Sequence, residues 1–567
     1  MRNCLFTFEV FVCYNRYIRK FERAVGVFRC AEKTKGGFYI KENFKRAIAA
    51  VTVAAVCTGG LCACGKKENA SVSKIPEGNV SYPIDTDETL TYWVKLAGAI
   101  STSVKNFGET PFAKKYMENT GIKVTYKHPA QGQEAEALNL LIASGDLPDI
   151  IESDWLARDP GSSISKKTIL ELNDIIKKQS PNLQKYLSEH PNIDKQVKTD
   201  DGKYYVYPFI RGDELLRSTA GFMLRADWLS ELSMDVPETI DEWTEVLKAF
   251  KEKKKADTPF TATISDLSYF AGAYGIEPDF YVDNGKVKYG SFENGFKDYL
   301  ETIKSWYDMG FLDKNFAVME YSAKNAAMLD GTAGATFGAG GGALGVYLNA
   351  KKDSGESYDL VAAPFPTLKK GDKSEFGNKQ LEYSSLNCAA ITGKCKNPEL
   401  AARFLDYSYS EEGYMLNNFG IEGESYEMKD GYPTYTKLIT DNPDGLAMAN
   451  ALGLYVRSSG EAPMVQDKRY IEQYYQYDRQ KEALKVWSDN NHENHKMPQV
   501  TRTKEENTEY NKIMKDLTVY RDEAMLEFIV GTRSMNDFDK YIEKLKSLKI
   551  ERAIEIQQAA YDRFLKR

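Results

Sequence analysis

The longest uninterrupted apolar run comes early in the chain. Seventeen uncharged residues, Ala47 to Ala63, follow a positive region at Lys41, Lys45 and Arg46. The run is too short and too rich in Gly and Ala for a membrane-spanning helix, which needs about 20 strongly apolar residues. A basic region, a short apolar region and small residues before a cut point are the parts of a secretory signal peptide, here residues 47–63. Residues 64–88 are polar and lack helical periodicity, so they predict a tether. A flexible chain of about 24 residues spans roughly 25–30 Å, which holds a body just above a surface. Residues 1–46 form an upstream segment whose first 40 residues are aromatic and basic, and a start codon placed too early would explain them.

From Thr89 the pattern alternates between strand-like and helix-like spacing. Residues 90–96 predict a strand. Residues 111–120 predict a helix stopped by Gly121, and residues 122–126 a second strand. Residues 134–144 predict a helix stopped by Gly145, and residues 149–153 a third strand. This β-α-β-α-β rhythm implies an open, mainly parallel sheet. A second set begins near Ser218, with a strand at 219–224 and a short helix at 225–231. Thr239 as N-cap with Glu242 three residues later starts a helix that runs to Lys255. Further helices are predicted at 293–310, 321–330, 397–409, 505–530, 535–547 and 551–566. No fixed-period repeat is present.

Composition narrows the class. Hydrophobic residues make up 42% and charged residues 28% of 567, which excludes a mostly disordered chain, a collagen-like repeat and a polytopic membrane protein. The net charge of −7 argues against nucleic acid as a partner. If residues 1–63 are cut away, 64 basic and 78 acidic side chains remain, a net of −14, with Cys64, Cys388 and Cys395 the cysteines left. Cys388 and Cys395 are seven apart, and both a disulfide and two free thiols stay open.

Motifs for catalysis are weak. Gly340 to Gly345 matches G-x-G-x-x-G, with Asp359 19 residues on. A dinucleotide site needs that acid at the end of the next strand, and Asp359 precedes its apolar run instead. The glycines are better read as letting backbone approach another lobe or a ligand. His492 and His495 flank a carboxylate, but their polar, Asn-rich surroundings predict an exposed loop rather than a metal site. No cofactor or metal is expected. Aromatic residues reach 12%, with 36 Tyr against 27 Phe. Tyr and Trp present an apolar face with a polar handle, which suits a sugar ring with its C–H face and hydroxyl rim. Ligands of open α/β sheets bind at the carboxyl ends of strands. Candidates at strand ends or in loops are Trp93, Asp154, Trp155, Arg211, Phe337, Tyr383, Glu422 and Tyr426. Carboxylates and Arg there would bind hydroxyls through charge-assisted hydrogen bonds.

The segment Leu61-Cys62-Ala63-Cys64 resembles the bacterial lipobox, with Cys64 as the lipidated residue and Cys62 as a departure from the usual small or hydroxylated residue. Longer stretches carry a wider resemblance: NLLIASGDLPDII (139–151), DGKYYVYPF (201–209), LRADWLSELSMDVPETIDEWTEVLKAF (224–250), ITGKCKNPELAARFLDYSYSEEGY (391–414), NFGIEGESYE (418–427) and FIVGTRSMNDFDKYIEKLKSL (528–548). Together they resemble the extracellular solute-binding lipoproteins of Gram-positive carbohydrate ABC importers. The resemblance implies an α/β, two-lobed, periplasmic-binding-protein-like fold with hinge strands between the lobes. It implies an N-lobe of 89–210 and 375–430, a C-lobe of 211–374 and 431–567, and a hinge after Tyr207-Pro208. It also implies a non-enzymatic monomer, lipid-anchored on the extracellular face of the cell membrane. Such a protein captures an oligosaccharide and delivers it to ABC permease subunits. Two alternatives stay open: a surface glycoside-active enzyme using a carboxylate pair, and a binding protein for peptides or other small solutes.

Overall fold

Residues 75–567, apart from residue 356, are described by a computed structural model. The signal-like run, Cys64 and the first part of the tether lie outside the described residues. The strands run in chain order as β1 (Thr89–Trp93), β2 (Lys123–Lys127), β3 (Ile150–Ser153), β4 (Tyr207–Arg211), β5 (Ala220–Arg225), β6 (Phe260–Thr261), β7 (Phe280–Asp283), β8 (Lys286–Tyr289), β9 (Ala335–Ala339), β10 (Leu360–Ala363), β11 (Tyr383–Ile391), β12 (Tyr426–Lys429), β13 (Tyr432–Tyr435) and β14 (Met464–Gln466).

Ten of them form two sheets, one per lobe. The first has the order β14-β4-β11-β3-β1-β2. Its β1 pairs in parallel with β2 and β3, because the Pro111–Thr120 and Glu134–Ser144 helices carry the chain back between them. Gly121 ends the first of these helices at φ +73°, and a Cβ there would lie 2.3 Å from the Ile84 carbonyl oxygen, so only glycine suits that stop. The second sheet has the order β10-β5-β9-β6. There only the β6–β9 pair is parallel, while β5 runs antiparallel to β9 and β10. This lobe thus differs from the first sheet, where β1–β2, β1–β3 and β14–β4 are parallel. The lobe is inserted between β4 and β11, so the chain leaves through β10 at the end where it entered through β5. For the same reason β11 is antiparallel to β4.

Each lobe has an aromatic core. In the second, Trp243 meets Phe222, Phe260 and Phe270 edge-on at 5.4–5.9 Å between ring centroids. Trp243 comes from the Ile240–Lys253 helix, which opens on the predicted capping box of Thr239 and Glu242. In the first, Phe107, Phe112, Tyr116, Tyr126 and Phe404 interlock. Cys388 and Cys395 are both free thiols.

The chain passes between the sheets three times among the described residues, through 212–219, 364–382 and 467–477. These crossings are laced side by side. The Arg211 N–H donates to the Glu382 carbonyl (2.8 Å), Gly212 to Gln466 (3.1 Å) and Gln380 to Arg217 (2.7 Å). The first sheet takes its last strand, β14, from 464–466, well past residue 430.

Candidate functional site

Arg211 is the last residue of β4, and Tyr383 is the first of β11, so two crossings leave the first sheet side by side. In front of them lies a cavity of about 460 Å³, within the size range of small-ligand sites. Arg211, Leu386 and Glu461 line it from the first lobe, and Tyr269, Glu277, Lys379 and Lys496 from the second-lobe side and its crossings. A second volume of about 660 Å³, lined by Asp154, Asp159 and Arg502 among others, adjoins it across Met497 and Gln499.

Local backbone shapes the first cavity. β11 loses register between Ser384 and Ala389, with Asn387 at φ +56°. This bulge turns Leu386 outward, 51% exposed, onto the cavity. Opposite it, Tyr269 stacks on Phe337 with centroids 4.2 Å apart and planes 7° from parallel. Phe337, in β9, therefore stands behind Tyr269 and fixes its plane.

The charges are organised in pairs. Arg211 Nη2 donates to Glu461 Oε1 at 2.8 Å and its Nη1 to the Leu381 carbonyl at 3.1 Å. Arg217 pairs with Glu493, and Lys379 with Glu214. His492 Nε2 lies 3.2 Å from Glu277 Oε2. Burial pushes the Arg211 guanidinium down, which Glu461 partly offsets. The hydrogen bond from Lys379 holds the Glu214 carboxyl below its usual range. Burial, helped by the charge of Arg217, pushes the Lys496 amine down to about 7.

The structure brings Arg211 and Tyr383 together at the cavity, and Phe337 one layer behind. The Tyr383 ring is itself fully buried, its hydroxyl 3.3 Å from that of Tyr205. Its carbonyl accepts from Gln499 Nε2 at 3.4 Å. Asp154 lines the larger cavity and caps the Ala157 N–H at 3.1 Å. Trp155 is fully buried, and its indole N–H donates to the Ile151 carbonyl at 3.1 Å, so its ring serves the core. Trp93 is buried at the end of β1, opposite Ile151. Tyr426 packs on Phe419 and Tyr435 in a separate hydrophobic cluster, with exposed Glu422 in the turn before it.

Sequence reasoning did not single out Tyr269, Lys379, Glu461 or Lys496. They come from four distant segments, and the three charged ones look like ordinary solvated side chains in the sequence. The expected loop at 492–495 is instead a packed turn. His492 is buried, and His495 Nε2 lies 3.0 Å from Glu375 Oε2. Carboxylates more than 100 residues away anchor both rings. Among the described residues, no group of three or more His, Cys, Asp or Glu is arranged to hold a metal. At the glycine-rich turn, Gln480 Nε2 donates to the Gly340 carbonyl at 2.7 Å. A Cβ on Gly340 would lie 2.6 Å from the Tyr475 hydroxyl, so the glycine admits the third crossing.

The family model described as "Bacterial extracellular solute-binding protein" matches residues 102–415. The chain is 28% identical over 388 residues to the fructooligosaccharide ABC transporter substrate-binding protein FusA of Streptococcus pneumoniae, covering 64% of this chain and 69% of that one. It is 26% identical over 364 residues to lipoprotein LipO of Bacillus subtilis, covering 62% and 70%. Among solved structures, the alginate-binding protein AlgQ2 without calcium superposes with a TM-score of 0.71 at 23% identity, over 85% of this chain and 100% of that one. FusA in complex with kestose gives 0.68 at 24%, over 84% and 100%. At these identities the structural likeness shows a shared two-lobed fold.

Proposed function

The chain belongs to the bacterial extracellular solute-binding protein family, a family of binding proteins for transporters, and from that premise we propose that it captures an oligosaccharide between its lobes and delivers it to ABC permease subunits. The observation that carries this reading is the cavity of about 460 Å³ at the crossings. It offers a sugar an apolar face from Tyr269 and Leu386, and fixed polar groups from Arg211, Glu461 and Lys379. In this reading, the lobes are 89–211 with 383–466 and 220–363 with 478–567. The laced crossings act as the hinge, and closure buries the ligand and forms the surface a permease reads. Arg211 binds hydroxyls, Phe337 supports Tyr269, and Asp154 extends the site into the larger volume.

Cys64 carries the lipid, residues 65–88 form the tether, and the protein sits as a monomer on the extracellular face of the cell membrane. The lipobox-like segment supports this, as does the lipoprotein name of LipO. No helix among the described residues is long and apolar enough to cross a membrane.

A thermal-shift screen over oligosaccharides and peptides tests the ligand class. A ligand at 100 times its Kd adds about 2.7 kcal/mol to stability. Stabilisation by oligosaccharides is the expected result; stabilisation by peptides alone, or release of product from a glycan, contradicts the reading. Cys64→Ala should release the protein from membranes.

A further inference from the structure

One cation on the wall of the cleft takes no part in these ion pairs. Each carboxylate named above already has a cation or imidazole: Glu461 has Arg211, Glu493 has Arg217, Glu214 has Lys379 and Glu277 has His492. Lys496 also lines the cavity. Among the described residues, its amine has no hydrogen-bond or ion-pair partner. It follows the turn at His492–His495, so its backbone is held by the two anchored histidines. A half-buried ammonium without an ion-pair partner is unfavourable, because partial desolvation is not fully repaid. Arg217 and Arg211 disfavour its charge, whereas Glu493 and Glu277 favour it from beyond ion-pair distance while bonded to Arg217 and His492. Structural cations in this protein look different: Arg457, buried in the first lobe, meets both oxygens of Glu152 at 2.7 and 3.0 Å.

We propose that Lys496, without an ion-pair partner on the wall of the cleft it shares with Arg211 and Lys379, is the receptor for an anionic substituent, so that the cleft selects acidic over neutral oligosaccharides. The inference rests on the proposed oligosaccharide cleft and names its substrate class. A uronate carboxylate and a sulfate ester share the required chemistry, since an ammonium acts as a point charge without a fixed fork. The net charge of −14 from Cys64 onward disfavours anions at long range. Selection therefore depends on a local cation, which acts inside the roughly 8 Å over which salt screens at physiological strength.

The test is calorimetric titration of the full chain with matched ligands: oligogalacturonides, their methyl esters, sulfated oligosaccharides and neutral fructo-oligosaccharides. Charge-assisted hydrogen bonds predict that the free acid or the sulfate binds about ten- to hundredfold tighter than its neutral counterpart. In Lys496→Met that preference disappears, and in Lys496→Arg it is retained, which separates charge from damage to the fold. A preference for the uronate or the sulfate identifies the source of the anion. Equal affinity for acid and ester, or a preference that survives Lys496→Met, overturns the inference while leaving the oligosaccharide reading intact. No binding of any sugar overturns both.

Discussion

Two charge clusters in this protein use similar groups to opposite ends. In the first lobe, Glu152 on β3 accepts two bonds from Arg457 and one from the Tyr92 hydroxyl at 2.9 Å. Both charged side chains are withdrawn from water, 2% and 14% exposed, and the space beside them is only about 30 Å³. At the cleft, the carboxylates paired to Arg211, Arg217 and Lys379 are 30%, 49% and 65% exposed. Lys496 beside them makes no ion pair. The first cluster is saturated and has no room for a guest. The second is open to a solute and leaves Lys496 without an ion-pair partner. Saturation separates a structural charge from a receptive one better than burial does.

The largest expected effect falls on the saturated cluster. Glu152→Gln should cost about 3–5 kcal/mol, because it strands a buried guanidinium. Denaturant unfolding measures this, and a loss below 1 kcal/mol would erase the contrast between the clusters. Next comes Lys496→Met, whose effect is on ligand choice as described above. The same substitution should make the ligand-free protein more stable by about 1–2 kcal/mol at pH 7, since an unpaired, partly desolvated cation is removed.

The pH dependence of that gain has a fixed sign. The Lys496 amine sits near 7 when folded, against an ordinary value of 10.5. Between those values the unfolded chain binds more protons, so the contribution of Lys496 to stability rises with pH. The advantage of Lys496→Met should therefore shrink from pH 7 towards pH 10 in paired thermal melts. Affinity for an acidic oligosaccharide should fall over the same rise, because the free amine loses its proton. The smallest effect is expected from Glu461→Gln. It frees Arg211 as a second cation while the Leu381 carbonyl still holds it, and acidic ligands should bind a few-fold tighter by about 0.5–1 kcal/mol.

The fold was legible where local signals were strong. The first three strands, the two helices between them and the Thr239 capping box lie within two or three residues of where hydrophobic spacing and caps place them. The sequence-level pattern could not show that β11 inserts antiparallel between β3 and β4, since those partners are more than 170 residues away. Nor could it reveal the mostly antiparallel second sheet, which follows from where the chain re-enters the hinge. At the site, Arg211 stands out in the sequence for following Tyr207-Pro208 and Tyr383 for lying near the return to the first lobe, and both line the cavity because β4 ends and β11 begins at the crossings. Sequence reasoning also selected Trp155 and Tyr426, whose rings went to hydrophobic cores, because an aromatic near a strand end looks the same in either role. Lys496 carries no signal in sequence at all. Its meaning comes from four carboxylates that are already occupied.

Hydrogen exchange with and without an oligosaccharide found in the screen tests the central claim most directly. Binding between the lobes predicts joint protection of 377–386 and 492–499, the segments that line the cavity from both sides. Protection confined to one lobe, with those two segments unchanged, would contradict it.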